Sequence, residues 1–96
     1  MLSDHPVFPI LLSTDLDASR TFYHDLLGLP ILREDEGDRI IFGSGGGTQL
    51  AVTLSTIGTS DSQTQLAWRV ADMGHSWAAW FTDPSRNVLA VVQPKG

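Results

Sequence analysis

Residues 14–30, TDLDASRTFYHDLLGLP, contain the best-defined element of this chain. Thr14 and Asp15 supply a helix N-cap, because their side-chain oxygens can accept hydrogen bonds from the free backbone N–H groups of a first turn. Gly28 suits the left-handed residue that follows a helix, and Pro30 prevents continuation. The pattern therefore predicts a helix from Leu16 to about Leu27. At roughly 100° per residue, its apolar face carries Leu16, Ser19, Phe22, Tyr23, Leu26 and Leu27.

Short apolar runs on both sides of this helix predict strands. The runs before the glycine- and serine-rich stretch Gly58–Thr64 are residues 7–13, 31–33, 39–42 and 49–55. Those after it are residues 66–70, 76–82 and 87–92, and residues 83–86 form a turn between the last two. The order β-α-β-β-β, a linker at 58–64 and three more strands predicts an α+β fold with one main helix.

The composition excludes several classes of function. The chain of 96 residues is long enough for one domain only and contains no cysteine, so disulfides and thiolate metal sites are excluded. A net charge of −5 argues against nucleic-acid binding, which needs clustered lysine and arginine. No apolar run approaches the ~18 residues that cross a bilayer, and residues 1–6 do not look like a signal peptide. We expect a cytoplasmic protein that binds neither nucleic acid nor membranes.

Two stretches carry a family resemblance. The first combines DLDAS at 15–19 with Phe22-Tyr23 and Leu27-Gly28, and the second is WFTDPSRNVL at 80–89. Together they resemble the landmarks of the vicinal oxygen chelate superfamily, which contains glyoxalase I, bleomycin resistance proteins and extradiol dioxygenases. The resemblance implies two β-α-β-β-β modules whose sheets curl around a cavity. It divides the single domain, residues 1–96, into module one at about 7–57, the linker at 58–64 and a shortened module two at 65–96.

The shortened module lacks the helix that covers the corresponding half-sheet in this superfamily. Strand alternation then predicts that one set of side chains faces outward without cover. Leaving such an apolar patch in water is unfavourable. We therefore expect a homodimer whose second subunit covers the patch, with segment exchange across the linker as one arrangement. The patch consists of Leu66, Trp68, Val70, Leu89 and Val91.

The resemblance also allows a test for a metal centre. Enzymes of the superfamily hold a divalent metal with His, Glu or Gln side chains from four strands. The matching positions here are Phe8 and Ala90, which cannot donate to a metal, Gln65, and a fourth strand, Gln49–Ser55, without His, Asp or Glu. Neither a metal nor another cofactor is therefore predicted, and His5, His24 and His75 form no metal-binding spacing.

An apolar and aromatic cavity remains as the candidate site, although the same side chains could simply fill a small core. The resemblance to metal-free bleomycin resistance proteins implies sequestration of a small organic molecule in a dimer cavity. The acidic surface favours a cation, whereas an inward-facing Arg69 would leave an anionic or neutral ligand open. The residues predicted to bind the ligand are Phe8, Ile10, Leu12, Gln65, Ala67, Arg69, Trp80 and Ala90, and no catalytic residue is predicted.

Two other functions stay open at this point. A metal-free lyase or isomerase would need an acid–base pair, which only His75, Arg69 and Asp72 could supply. Alternatively, the shortened module is an assembly surface without a ligand. A filled cavity would favour the assembly module, and an open cavity would favour binding.

Overall fold

The computed structural model describes residues 1–56, 63–70 and 78–93. The predicted linker lies largely outside these ranges, although Thr64, its last predicted residue, is the first residue of a strand. Within the described residues, no helix is both long and apolar enough to cross a membrane. The elements are β1 (Ile10–Ser13), α1 (Leu16–Arg20) with a π-helical continuation (Thr21–Leu26), β2 (Ile31–Asp35), β3 (Arg39–Gly43), β4 (Gln49–Leu54), β5 (Thr64–Arg69), β6 (Ala78–Thr82) and β7 (Val88–Val92).

The strands form two mixed sheets, which confirms the α+β class and the β-α-β-β-β order of the first half. The first sheet has the order β1-β4-β3-β2, with β1 and β4 parallel and the other pairs antiparallel. The second has the order β5-β7-β6, with β5 parallel and β6 antiparallel to β7. Each sheet therefore repeats the same pattern, a parallel edge strand beside an antiparallel hairpin.

The helix begins and ends as predicted but winds differently in its second half. Asp15 caps it, accepting a hydrogen bond from the Ala18 N–H at 3.1 Å, and Gly28 follows it with φ of +78°. From Thr21 onward the turns widen, since the Leu27 N–H donates to the carbonyl of Phe22, five residues earlier. A wider turn rotates later side chains away from the 3.6-residue pattern. Leu26, predicted on the apolar face, is consequently 72% exposed.

One core unites the helix with both sheets, and it corrects the prediction of an outward apolar patch. Leu89 is fully buried in this core, and Leu66 and Trp68 pack against it together with Phe22 of the helix. The alternation along β5 and β7 was read correctly, but the side with Leu66 and Leu89 faces the core of the same chain. The fully buried core residues are Leu11, Tyr23, Ile40, Phe42, Leu50, Val52 and Leu89.

Aromatic contacts and a buried hydrogen-bond network connect the two halves of the chain. Phe81 of β6 contacts the Phe22 ring, with centroids 6.3 Å apart, and stacks on Trp68 at 6.2 Å. The Tyr23 hydroxyl donates to Asp83 Oδ2 at 2.6 Å. Asn87 Nδ2 donates both to Asp83 and to the backbone carbonyl of Leu12 at the end of β1. We call Tyr23, Asp83 and Asn87 the polar clasp, because they fix the β6–β7 turn against the helix and β1.

Candidate functional site

The first sheet has a face turned away from the core, which is apolar at β1, whereas Thr53, Arg39 and Arg33 lie on the same face of the other strands. Leu11 and Ser13 are buried on the core side of β1, whereas Ile10 is 61% exposed and Leu12 is also exposed on the opposite side. Phe8, just before the strand, is exposed as well. As the alternation predicts, Ile10 and Leu12 share one face. The face lacks the helix cover that the other side has.

Leu32 extends this face and was missed by the sequence reasoning. It lies at an irregularity in the β2–β3 pairing, where the register shifts between Ile31 and Arg33. Its side chain lies over Gly43, since a Cβ built on Gly43 would be 3.2 Å from Leu32 carbons. Such a bulge reverses the expected alternation. No sequence signal other than Gly43 pointed to this contact.

The second sheet presents Trp80, Ala90 and Ala67 on one rung. Ala90 on the central strand is aligned with Ala67 on one side and Trp80 on the other. The Trp80 indole donates through Nε1 to Thr64 Oγ1 at 3.0 Å, although Thr64 lies on β5, across the central strand β7. The indole therefore spans β7, which accounts for the 1% exposure of Ala90, while the indole itself stays 63% exposed. We call this exposed indole surface the Trp80 platform.

A groove of about 450 Å³ lies between the two sheets, beside the free edge of β5. Of the eight predicted binding residues it contains Ala67 and Arg69 only. Gln65 lies at a register shift between Thr64 and Leu66, and Phe8, Ile10, Leu12, Trp80 and Ala90 lie on or beside the sheet faces described above. In one chain the eight residues do not line a common groove, and their role in binding a ligand stays a prediction. The groove is lined by Val7, Pro9, Ser44, Gly45, Thr48, Gln49, Leu50, Leu66, Ala67, Trp68 and Arg69.

A second depression of about 270 Å³ adjoins this groove and shares three of its residues, Ser44, Trp68 and Arg69. Trp68 separates the two, and its Nε1 donates to Ser44 Oγ at 3.2 Å. The remaining walls of the depression are apolar and come from both halves of the chain. They are Leu27, Leu29, Val70, Phe81 and Val91.

The residues at the positions of the superfamily's metal ligands do not fit a metal. The side chains of Phe8 and Ala90 are hydrocarbon, and in the part of the chain that the structure describes no three His, Asp or Glu side chains converge. His24 lies at the end of the helix, where its Nδ1 is 2.8 Å from the carbonyl oxygen of Leu29. His75 and Asp72, which the metal-free enzyme hypothesis needs, lie outside the described residues.

Carboxylates at the end of β2 and in the β2–β3 turn form ion pairs with arginines. Arg20 pairs with Asp17 at 2.6 Å and Glu34 at 2.9 Å, and these bonds raise the pKa of the Arg20 guanidinium above its ordinary value. Arg33 and Arg39 both pair with Asp35. These carboxylates lie close to guanidinium groups on an exposed surface.

Comparison with solved structures supports the fold. An antibiotic-binding protein, TnmS3 from Streptomyces sp. CB03234, is 18% identical, with a TM-score of 0.69 over 95% of this chain and 96% of that chain. A bleomycin-binding protein complexed with bleomycin is 18% identical, with a TM-score of 0.72 over 94% and 98%. The fosfomycin resistance protein FosX from Listeria monocytogenes is 12% identical, with a TM-score of 0.78 over 99% and 94%. At these identities the likeness concerns the fold.

The search of curated proteins found no match. The sequence itself matches a family model over residues 3–85, a range that includes the helix motif and Tyr23 and Asp83 of the polar clasp. The resemblance seen in the sequence is thereby confirmed. The chain belongs to the Glyoxalase/Bleomycin resistance protein/Dioxygenase superfamily.

Proposed function

We propose that this protein binds a small organic molecule without a metal, between the apolar face of the first sheet of one copy and the Trp80 platform of a second copy. The observation that carries the proposal is the exposure of large apolar side chains on sheet faces turned away from the core. Ile10, Leu12, Leu32 and Trp80 are all exposed there. Superfamily members that bind bleomycin or another antibiotic support a binding role.

The energetics of these faces favour a partner. Burying one large apolar side chain contributes roughly 1.5–3 kcal/mol, so four such side chains in water are a substantial cost for a small domain. Because the core lies between the two sheets, a chain cannot bring its own two outer faces together. In a homodimer, the first-sheet face of each copy can pack against the Trp80 platform of the other copy. A homodimer is therefore the simplest arrangement that covers both faces. Segment exchange across residues 58–64 and a cytoplasmic location stay predictions.

The ligand contacts that we propose are chiefly apolar and aromatic. Trp80 offers a flat surface held in place by its hydrogen bond to Thr64, and Phe8 adds a second ring on the opposing face. Aromatic rings stabilise flat ligands by stacking as well as by area burial. Metal independence is proposed because Phe8 and Ala90 supply hydrocarbon where coordinating atoms would be needed.

The test is binding of N-phenyl-1-naphthylamine, a neutral fluorescent dye, to protein treated with EDTA. We expect saturable binding that added Zn²⁺, Ni²⁺ or Mn²⁺ does not strengthen. Trp80→Ala should weaken it about three- to tenfold, the loss of one aromatic contact. Leu26→Ala is the matched control, because it removes an exposed apolar side chain from the helix, away from both sheet faces. Binding that requires a metal ion, or that Leu26→Ala weakens as much as Trp80→Ala, would contradict the proposal.

A further inference from the structure

We infer that the ligand is an apolar molecule with one anionic group, and that the anion binds Arg69 at the mouth of the groove between the sheets. The inference rests on the proposed binding function and adds the charge and orientation of the ligand. Three observations carry it: the state of Arg69, the composition of the groove, and the placement of the carboxylates elsewhere.

Arg69 has no carboxylate partner among the described residues, unlike three other arginines of the chain. Arg20, Arg33 and Arg39 each form an ion pair with Asp or Glu. The Arg69 side chain forms no ion pair or hydrogen bond with any residue in the described ranges, although it lines both the groove and the adjoining depression. A guanidinium offers five N–H donors in a planar fork that matches a carboxylate, sulfonate or phosphonate. Its donors are therefore available to a ligand.

The groove around Arg69 suits a molecule that is mostly apolar. The walls include Pro9, Leu50, Leu66 and Trp68, and its uncharged polar side chains are Ser44, Thr48 and Gln49. Among the described residues that line the groove none carries a carboxylate, and Arg69 is the one charged side chain. Its volume of about 450 Å³ lies in the range typical of small-molecule sites. A ligand that lies against the Trp80 platform can extend into this groove, where it buries further apolar surface while its anion meets the guanidinium.

A cluster of carboxylates lies away from Arg69, and this separation strengthens the preference of the groove for an anionic ligand. The net charge of the chain is −5, yet Asp15, Asp17, Glu34 and Glu36 line a different depression, beside the start of the helix. Arg69 lies at the end of β5 and shares a face with Ala67, whose rung continues to Trp80. The guanidinium thus stands where the groove meets the face that carries the Trp80 platform. A cation would be attracted by the surface as a whole but repelled at this position.

The experiment compares two dyes that differ by one sulfonate. They are 8-anilinonaphthalene-1-sulfonate, an anion, and N-phenyl-1-naphthylamine, its neutral counterpart. We expect the anion to bind about tenfold more tightly, since a charge-assisted hydrogen bond is worth that much. Arg69→Gln should remove the difference in affinity between the two dyes, and Arg69→Lys should retain part of it. Arg86→Gln, in the exposed β6–β7 turn, changes the net charge equally and should leave both affinities as they are.

Ionic strength provides a second measurement on the unaltered protein. Raising the salt concentration from about 0.05 to 0.5 M increasingly screens charge–charge interactions. It should therefore weaken binding of the anionic dye and leave binding of the neutral dye unchanged. Equal affinity for the two dyes, or an Arg69→Gln protein that still prefers the anion, would overturn the inference and leave the proposed function standing. If neither dye binds, the proposed function fails and the inference fails with it.

Discussion

Asp83 is a buried carboxylate that accepts four hydrogen bonds. Two come from the backbone N–H groups of Ser85 and Asn87, at 2.9 and 2.8 Å, one from the Asn87 amide, and one from the Tyr23 hydroxyl. The sequence accounts for the first two, because an Asp side chain in a turn commonly accepts hydrogen bonds from nearby backbone N–H groups. It does not predict the fourth, whose donor lies 60 residues away. With its acceptor positions used in this way, Asp83 is a structural residue, as its turn context already suggested.

The pH dependence of Tyr23 tests the polar clasp. Burial, and then the hydrogen bond to Asp83, raise the pKa of the Tyr23 phenol above its ordinary value of about 10. A raised pKa in the folded state means that the associated stability is present below about pH 10 and declines as the pH rises further. Because Tyr23 is the only tyrosine in the chain, tyrosinate absorbance reports it alone. We expect that absorbance to appear only as the protein unfolds in alkali.

Tyr23→Phe is the matching variant. It should lower the free energy of unfolding at pH 7 by about 1–3 kcal/mol, because Asp83 loses a donor, and it should reduce the decline above pH 10. Urea denaturation at several pH values measures both effects. Ionisation of Tyr23 near pH 10 in protein that is still folded would contradict the assigned environment.

At the scale of elements, the π-helical segment separates two neighbouring leucines. Leu26 is 72% exposed, whereas Leu27 is partly buried and packs against the core. We therefore expect Leu27→Ala to lower the free energy of unfolding by about 1–3 kcal/mol, and Leu26→Ala to change it by no more than about 0.5 kcal/mol. Urea denaturation of the two variants compares equal chemical changes one residue apart. Equal losses would indicate regular α-helical winding through Leu27.

The helix and strands also show which structural features could be predicted from sequence patterns. Cap chemistry at Asp15 and Gly28 predicted both helix ends, and alternation predicted which residues of β5 share a face. Alternation alone could not decide which face meets the core, since that depends on where the helix packs. The expected uncovered patch at Leu66 and Leu89 is instead covered by the chain's own first half. The bulge at Leu32 and the wide turn after Thr21 depend on tertiary packing, which local patterns do not contain.

At the scale of the whole molecule, the two apolar faces predict association. Ile10→Asp places a charge among the exposed apolar side chains of β1 and should convert a dimer to a monomer, because an unpaired charge in an interface is strongly unfavourable. Leu2→Asp is the control, since Leu2 is also exposed, at 87%, but lies in the N-terminal turn, outside the strands. Sedimentation velocity distinguishes the species. An unaltered protein that sediments as a monomer at micromolar concentration would contradict the proposed cavity between copies.

The polar clasp has a consequence for synthesis on the ribosome. Tyr23 emerges early, but its partner Asp83 and the core residue Leu89 emerge more than half the chain later. β1 likewise cannot complete its pairing with the parallel strand β4 until residue 54 has been synthesised. Contacts so distant along the chain form slowly. Until those later residues are synthesised, Tyr23, Phe42 and Val52 lack the contacts that bury them, and the nascent first half can aggregate. We therefore expect the chain to depend on chaperones during this interval.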